Sequence, residues 1–210
     1  MARRSSLSTT ALAIAAVLAW SAEPAGATEL SNAIAHMYAG SSMTPPSAEQ
    51  MTVCYSFVCR RRWQLDFTAA DRRKLTELLA AGKSSPAAER KAVQQAVVWF
   101  ERRVGPVIGT DKRVALADIR TLDAAHNFDC HDTTRNTTSL LLVLQEWNLL
   151  RHHTVSDPRY RGNVLIGQLP HNTAVLAERA TGSEWVVDMW PRGYAELPDV
   201  MTVERWLSEL

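Results

Sequence analysis

The sequence has almost no net charge. Lys and Arg number 23 against 22 Asp and Glu, which leaves +1 over 210 residues. Nucleic-acid binders normally carry a basic face, so near-neutrality argues against that class. It argues equally against an acidic solvating tail. Long apolar runs are missing too, apart from one near the N-terminus, and nothing beyond that run reads as a membrane span. There is no internal repeat and no low-complexity tract. Cysteine is scarce, with 3 in the chain, and the placement of those three is informative.

The N-terminal run reads as an export signal. Met1-Ala2-Arg3-Arg4 is basic, Ala11 to Trp20 is apolar, and Ala25-Gly26-Ala27 is a small-x-small site ahead of Thr28. That order predicts a signal peptide over residues 1–27, cleaved after Ala27. Its apolar core is about half the roughly 20 residues that a spanning helix needs. No cysteine follows the run, so lipidation is not expected. Residues 28–210 are then one domain in a periplasmic or secreted protein, neutral overall and with no stable membrane insertion. Such a compartment is oxidising, and thiols there tend to pair. Cys54 and Cys59 are close enough to close a small local loop. Cys130 is left over, as an inert buried thiol or as a free thiol with a role.

Hydrophobic spacing sets the element order. Glu29 to Ala39 reads as a short helix, Ser41 to Ser47 as a loop, and Arg62 to Phe67 as a strand. Thr68, with Asp71 three residues on, caps a helix that stops at Gly82. Ser84-Ser85-Pro86 opens a second helix, which Gly105-Pro106 ends. Val107 to Phe128 shows no clear period. Asp129 then caps a helix running from Cys130 to about Leu150, with Leu140, Leu141, Val143, Leu144 and Trp147 on its apolar face. Asp157-Pro158 and Arg161-Gly162 mark a turn region. Asn163 to Leu169, His171 to Glu178 and Glu184 to Trp190 read as strands, and Val203 to Leu210 as a closing helix. Helices first and strands last is an α+β order, with a helical part over 28–128 and a catalytic core over 129–210.

Cys130 begins its helix. A helix N-terminus carries about half a positive charge, which favours thiolate over thiol. A thiolate nucleophile needs an imidazole beside it, and the imidazole needs an orienting acceptor. His171 and Asp188 lie on consecutive predicted strands. If a two-residue turn at Thr181-Gly182 joins these strands, opposed residues sum to a constant odd number. His171 and Asp188 also sum to an odd number, so they share a face, provided no bulge intervenes. His126, His131 and Asp132 raise metal binding as a rival. They lack the four-ligand spacing of a closed zinc site, and no metal is expected there. His152-His153 reads as a solvated helix-ending feature. Trp185 and Trp190 read as core, with the alternative that one of them walls the site. Asn136 heads a glycosylation sequon, but its place in a helix argues against that use.

Asp129-Cys130-His131-Asp132 at a helix start, His171-Asn172-Thr173-Ala174-Val175-Leu176, and Glu184-Trp185-Val186-Val187-Asp188 together resemble the bacterial transglutaminase-like cysteine proteinases. These belong to the wider papain-like group, which includes periplasmic proteases that cut surface adhesins. The resemblance covers residues 127–190. It implies a papain-like core in which the helix carrying the cysteine packs on an antiparallel sheet carrying the histidine and aspartate. It further implies a Cys130, His171, Asp188 triad that cleaves amide or peptide bonds of a protein or peptide substrate through a thioester, with no cofactor. The alternatives are an acyl transferase and a catalytically inactive binding scaffold. Some family members hold calcium through an acidic residue where this chain has His131. Imidazole is a poor calcium ligand, since calcium prefers oxygen.

Overall fold

The computed structural model describes residues 30–118 and 125–209. The proposed signal peptide, residues 1–27, lies outside the described residues. Part of the aperiodic stretch before Phe128 does so too. The described chain is an α+β fold. In order, α1 spans Asn32–Ala39, β1 Gln50–Tyr55, β2 Arg61–Asp66, α2 Ala69–Ala80 and α3 Pro86–Ile108. Then come α4 at Cys130–Glu146, β3 at His153–Arg161, β4 at His171–Glu178, β5 at Glu184–Asp188, β6 at Asp199–Thr202 and α5 at Val203–Ser208. β1 and β2 form an antiparallel hairpin, so the N-terminal part is not purely helical. The last four strands form one antiparallel sheet in the order β3-β4-β5-β6.

One apolar core joins the two parts of the chain. Met51, Val53 and Leu65 of the hairpin meet Leu75 and Leu79 of α2 and Val93, Val97 and Phe100 of α3. They also meet Leu140, Leu141 and Leu144 of α4 and Ala174 and Leu176 of β4. Each of these buried side chains other than Ala174 contributes about 1.5–3 kcal/mol. α4 lies in the middle of this packing, with 13 of its 17 residues buried. Most buried polar side chains of such a helix find partners inside the fold, although the Thr137 and Thr138 hydroxyls have none among the described residues. Thr134 Oγ1 donates to the Cys130 carbonyl at 2.7 Å, and Ser139 shares a 2.8 Å hydrogen bond with Tyr38. Asn136 accepts from the Cys54 N–H at 2.7 Å and donates to the Cys54 carbonyl at 2.8 Å. Asn136 therefore pins the hairpin to α4, and its amide is fully buried in the folded chain.

Several sequence expectations hold. Thr68 and Asp71 form the capping box of α2, Ser85 caps α3 with Pro86 in its first turn, and Asp129 and Asp132 form the capping box of α4. Others need correction. α3 does not end at Gly105-Pro106 but runs on to Ile108, where Gly109 closes it in the left-handed conformation. Gly105 is buried against Tyr194, with room for no side chain, and Pro106 sits on the exposed face near the helix end. Asp157-Pro158 is not a turn. It lies in the register shift between Ser156 and Arg159 of β3. β3 is an edge strand, which tolerates a residue without an N–H at a bulge. Asn163 to Leu169 is not a strand but a loop with a short 3-10 turn at Val164–Ile166, whose apolar side chains find no cover.

Candidate active site

The site begins at the N-terminus of α4. Asp129 is its N-cap and accepts from the Asp132 N–H at 2.8 Å. Both carboxylates are buried, and the hairpin turn supplies their remaining donors. Phe57 and Cys59 N–H groups donate to the two Asp132 oxygens at 2.9 and 2.7 Å, and Val58 N–H donates to Asp129 at 2.8 Å. The amides converge because Ser56, Phe57, Val58 and Cys59 all have positive φ, from 47 to 68°. This is one left-handed turn built without glycine, and each such residue is strained by about 1–2 kcal/mol. The Cys54–Cys59 disulfide closes the turn. Burial and the Asp129 charge push the Asp132 carboxyl up to about 7, against the N–H donors that favour its ionised form.

Cys130 is the remaining free thiol and is buried. Its sulfur lies 4.0 Å from the Pro170 carbonyl oxygen, and the Asn172 backbone N–H hydrogen-bonds it. The two neighbours of His171 in sequence thus both reach the thiol. Loss of solvation raises the thiol to about 11, the Asn172 N–H works against this, and the charges of Asp129 and Asp188 add to it. This corrects the expectation that the helix terminus makes Cys130 a resting thiolate. Burial and two carboxylates outweigh the helix end, so the resting sulfur is protonated.

His171 opens β4, and Asp188 closes β5. Ala174 pairs with Val187 and Val175 with Val186. Extending that register puts Asp188 opposite Thr173, one diagonal step from His171 on the same face. The parity argument survives although the turn is longer than two residues. Gly182, at φ 72°, closes it by donating to the Glu178 carbonyl at 2.8 Å. His171 Nε2 is 2.6 Å from Asp188 Oδ2. Trp206 Nε1 donates to the same oxygen at 2.9 Å, and the Trp190 N–H donates to Oδ1 at 3.3 Å. The His171 ring sits between Trp190, at 4.6 Å between centroids, and Trp206, at 5.3 Å. The carboxylate is an acceptor, so Nε2 carries the proton and Nδ1 holds the free lone pair. Nδ1 is buried and has no hydrogen-bond partner among the described residues.

The other sequence candidates separate. Trp190 lines the clefts at the site, so the site-wall alternative is the one realised for it. Trp185 is instead covered by the Arg90 guanidinium, 3.5 Å from its ring centroid. His131 lies 3.3 Å from the Asn172 amide, at the rim. Among the described residues, no cluster of three or more His, Cys, Asp or Glu is arranged to hold a metal ion. His152-His153 is not a solvated helix end. His153 is fully buried at the start of β3, with Nδ1 2.9 Å from Glu89 and Nε2 3.1 Å from Arg90. Glu89 also takes the N–H groups of Arg151, His152 and His153, so the α4–β3 connection is tied to α3. Three parts of the site carried no sequence signal: Trp206, the Asn172 amide and the left-handed turn. Comparison with family models, with curated proteins and with solved structures found no match to the chain.

Proposed function

We propose that the protein is an exported thiol hydrolase acting on peptide or amide bonds, built on a papain-like, transglutaminase-like core. Cys130 is the nucleophile, His171 the general base and then acid, and Asp188 the group that fixes the imidazole tautomer. The observation that carries this reading is the buried, unpartnered Nδ1 of His171, whose Nε2 is held by Asp188 and whose two sequence neighbours, Pro170 and Asn172, both contact the Cys130 thiol. Among the described residues, Thr137, Thr138, Asn172 and Trp185 also have a buried side-chain atom without a partner, but of the five only the imidazole nitrogen is basic enough to take a thiol proton. The Cys54–Cys59 disulfide and the signal-like N-terminus support a periplasmic or secreted location. Among the described residues, no helix is long and apolar enough to cross a membrane.

The reaction takes two steps. Cys130 Sγ bonds to the carbonyl carbon while its proton passes to His171 Nδ1. The C–N bond then breaks, and the leaving amine takes that proton. Water next adds to the thioester, giving a proton to His171, and the C–S bond breaks to release the acid and restore the thiol. The Cys130 N–H, in the first turn of α4 and without an intrahelical acceptor, would be the donor to the oxyanion. An added amine in place of water would make the same thioester a transferase intermediate.

The high pKa of Cys130 favours a second reading, a transglutaminase-like scaffold that binds a peptide without turnover. Brief incubation with an N-acetyl amino-acid p-nitrophenyl ester, followed by peptide mapping, tests the choice. Hydrolysis predicts a transient acyl adduct on Cys130 that His171→Ala slows sharply. An adduct absent from the wild type, or forming equally fast in His171→Ala, sinks the hydrolase reading. Product analysis with added amine separates hydrolase from transferase.

A further inference from the structure

Beside Cys130 lies a cleft of about 420 Å³, within the roughly 300–1,000 Å³ range of ligand-binding clefts. Its apolar wall is made by Phe57, Val58, Val164, Leu169, Pro170 and Trp190. Val58, Val164 and Leu169 are 63%, 67% and 66% exposed, so large apolar side chains from separate segments stand uncovered around one thiol. Isolated exposed apolar residues are ordinary, whereas a contiguous rim of them marks a binding surface. The neighbouring cleft on the His171 side differs, being lined in part by Arg161, Gln168 and Glu209. Asp118, Asp129 and His131 also line the cleft beside Cys130, so the apolar surface there is one wall and not the whole lining.

Val58 adds an independent observation. It is β-branched, yet it sits at φ 47° in the middle of the left-handed turn. That conformation is an outlier for a branched side chain, and such outliers cluster at ligand clamps and active sites. Its N–H is anchored on Asp129, and the turn is closed by the disulfide. The strained backbone thus holds an isopropyl group out of the core and against the cleft.

We infer that Val58, with Val164 and Leu169 facing it, forms a specificity subsite for a bulky apolar side chain next to the bond presented to Cys130. The substrate class is then an extended peptide with Leu-like residues at the cleavage point, rather than a charged or glycine-rich one. This rests on Cys130 being the nucleophile, and the two claims can be tested apart.

Binding without chemistry tests the subsite. Cys130→Ala protein is titrated with capped hexa-alanine peptides carrying Leu, Asp or Gly at each position in turn, followed by tryptophan fluorescence, to which Trp190 in the cleft wall contributes. One position is expected to prefer Leu over Asp and Gly by about tenfold or more, the scale of burying one such side chain. Val58→Gly keeps the anchoring N–H and suits the positive φ, so the turn is retained, as its thermal transition will show. In the Val58→Gly, Cys130→Ala protein the Leu preference is expected to fall to threefold or less. Absence of measurable binding, equal affinity for all three residues, or a preference unchanged in the Val58→Gly protein overturns the subsite. The acyl-adduct measurement on wild-type Cys130 reports on the nucleophile alone.

Discussion

His153 with Glu89 and His171 with Asp188 are chemically the same pair, a buried imidazole against a buried carboxylate. The imidazole–carboxylate distances are 2.9 and 2.6 Å. The pairs differ at the other ring nitrogen. Arg90 reaches His153 Nε2, while His171 Nδ1 has no partner among the described residues. Their settings differ as well. Glu89 collects three backbone N–H groups and locks a chain connection, whereas His171 lies between two tryptophans at the floor of a cleft. Burial and pairing alone therefore do not mark a catalytic histidine. A satisfied ring is a brace, and a ring with one lone pair left over is equipped to move a proton.

The largest expected effect separates the pairs by function. His171→Ala should lower turnover of an activated ester by about 100- to 10,000-fold, the usual contribution of a positioned acid–base group. Its thermal transition should fall as well, because the buried Asp188 carboxylate loses its imidazole partner, so rates are taken per folded molecule. Glu89→Ala should cost stability without that loss of rate. It strips the partner from His153 and three N–H donors and should cost about 3–5 kcal/mol in chemical denaturation. The folded fraction should keep its rate per molecule. If Glu89→Ala slows folded protein as much as His171→Ala does, the distinction between the pairs collapses.

A similar loss is expected at the junction between the left-handed turn and α4. Asp132→Ala leaves the buried Phe57 and Cys59 N–H groups unpaired, at about 1–3 kcal/mol each, and urea midpoints will show it. A smaller effect follows from pH. Burial alone would raise the Glu89 carboxyl. The His153 imidazole and the Arg151 and His152 N–H groups overcome that and hold it below its ordinary 4.5. A depressed folded pKa gives stability that is present above 4.5 and lost as pH falls through the lower folded value. Thermal scans from neutral to acid pH should show that loss, and Glu89→Gln should show less of it. The smallest effect is expected at Trp206→Phe. It removes one of the donors that hold Asp188 and should reduce kcat about tenfold or less with KM unchanged.

Local chemistry was the legible part of the sequence. The caps at Thr68, Ser85 and Asp129 follow from side-chain oxygens meeting free helix amides three residues on, a signal contained in four residues. The shared face of His171 and Asp188 followed from strand parity and needed no tertiary knowledge. What failed depended on distant neighbours. Asn163 to Leu169 has strand-like composition but no sheet edge to join. Pro158 survives in β3 only because that strand is an edge. His152-His153 looked solvated because Glu89, which buries His153, lies more than 60 residues away in sequence. Trp206 reaches Asp188 only because α5 folds back beside β5 and β6, and no local pattern records that contact. The thiol's protonation depended on burial and on Asp188, neither of which is visible at the start of α4.

The account's central claim is that His171 Nδ1 takes the proton of a resting thiol at Cys130. The most direct measurement is the rate of Cys130 alkylation by iodoacetamide at neutral pH, compared between the wild type and His171→Ala by mass spectrometry. Cys130 should react at least about tenfold faster in the wild type, within the range of general-base assistance. In His171→Ala the rate should keep rising with pH toward the thiol's value of about 11. Equal rates in the two proteins at neutral pH would show that His171 does not act on Cys130, and would contradict the account.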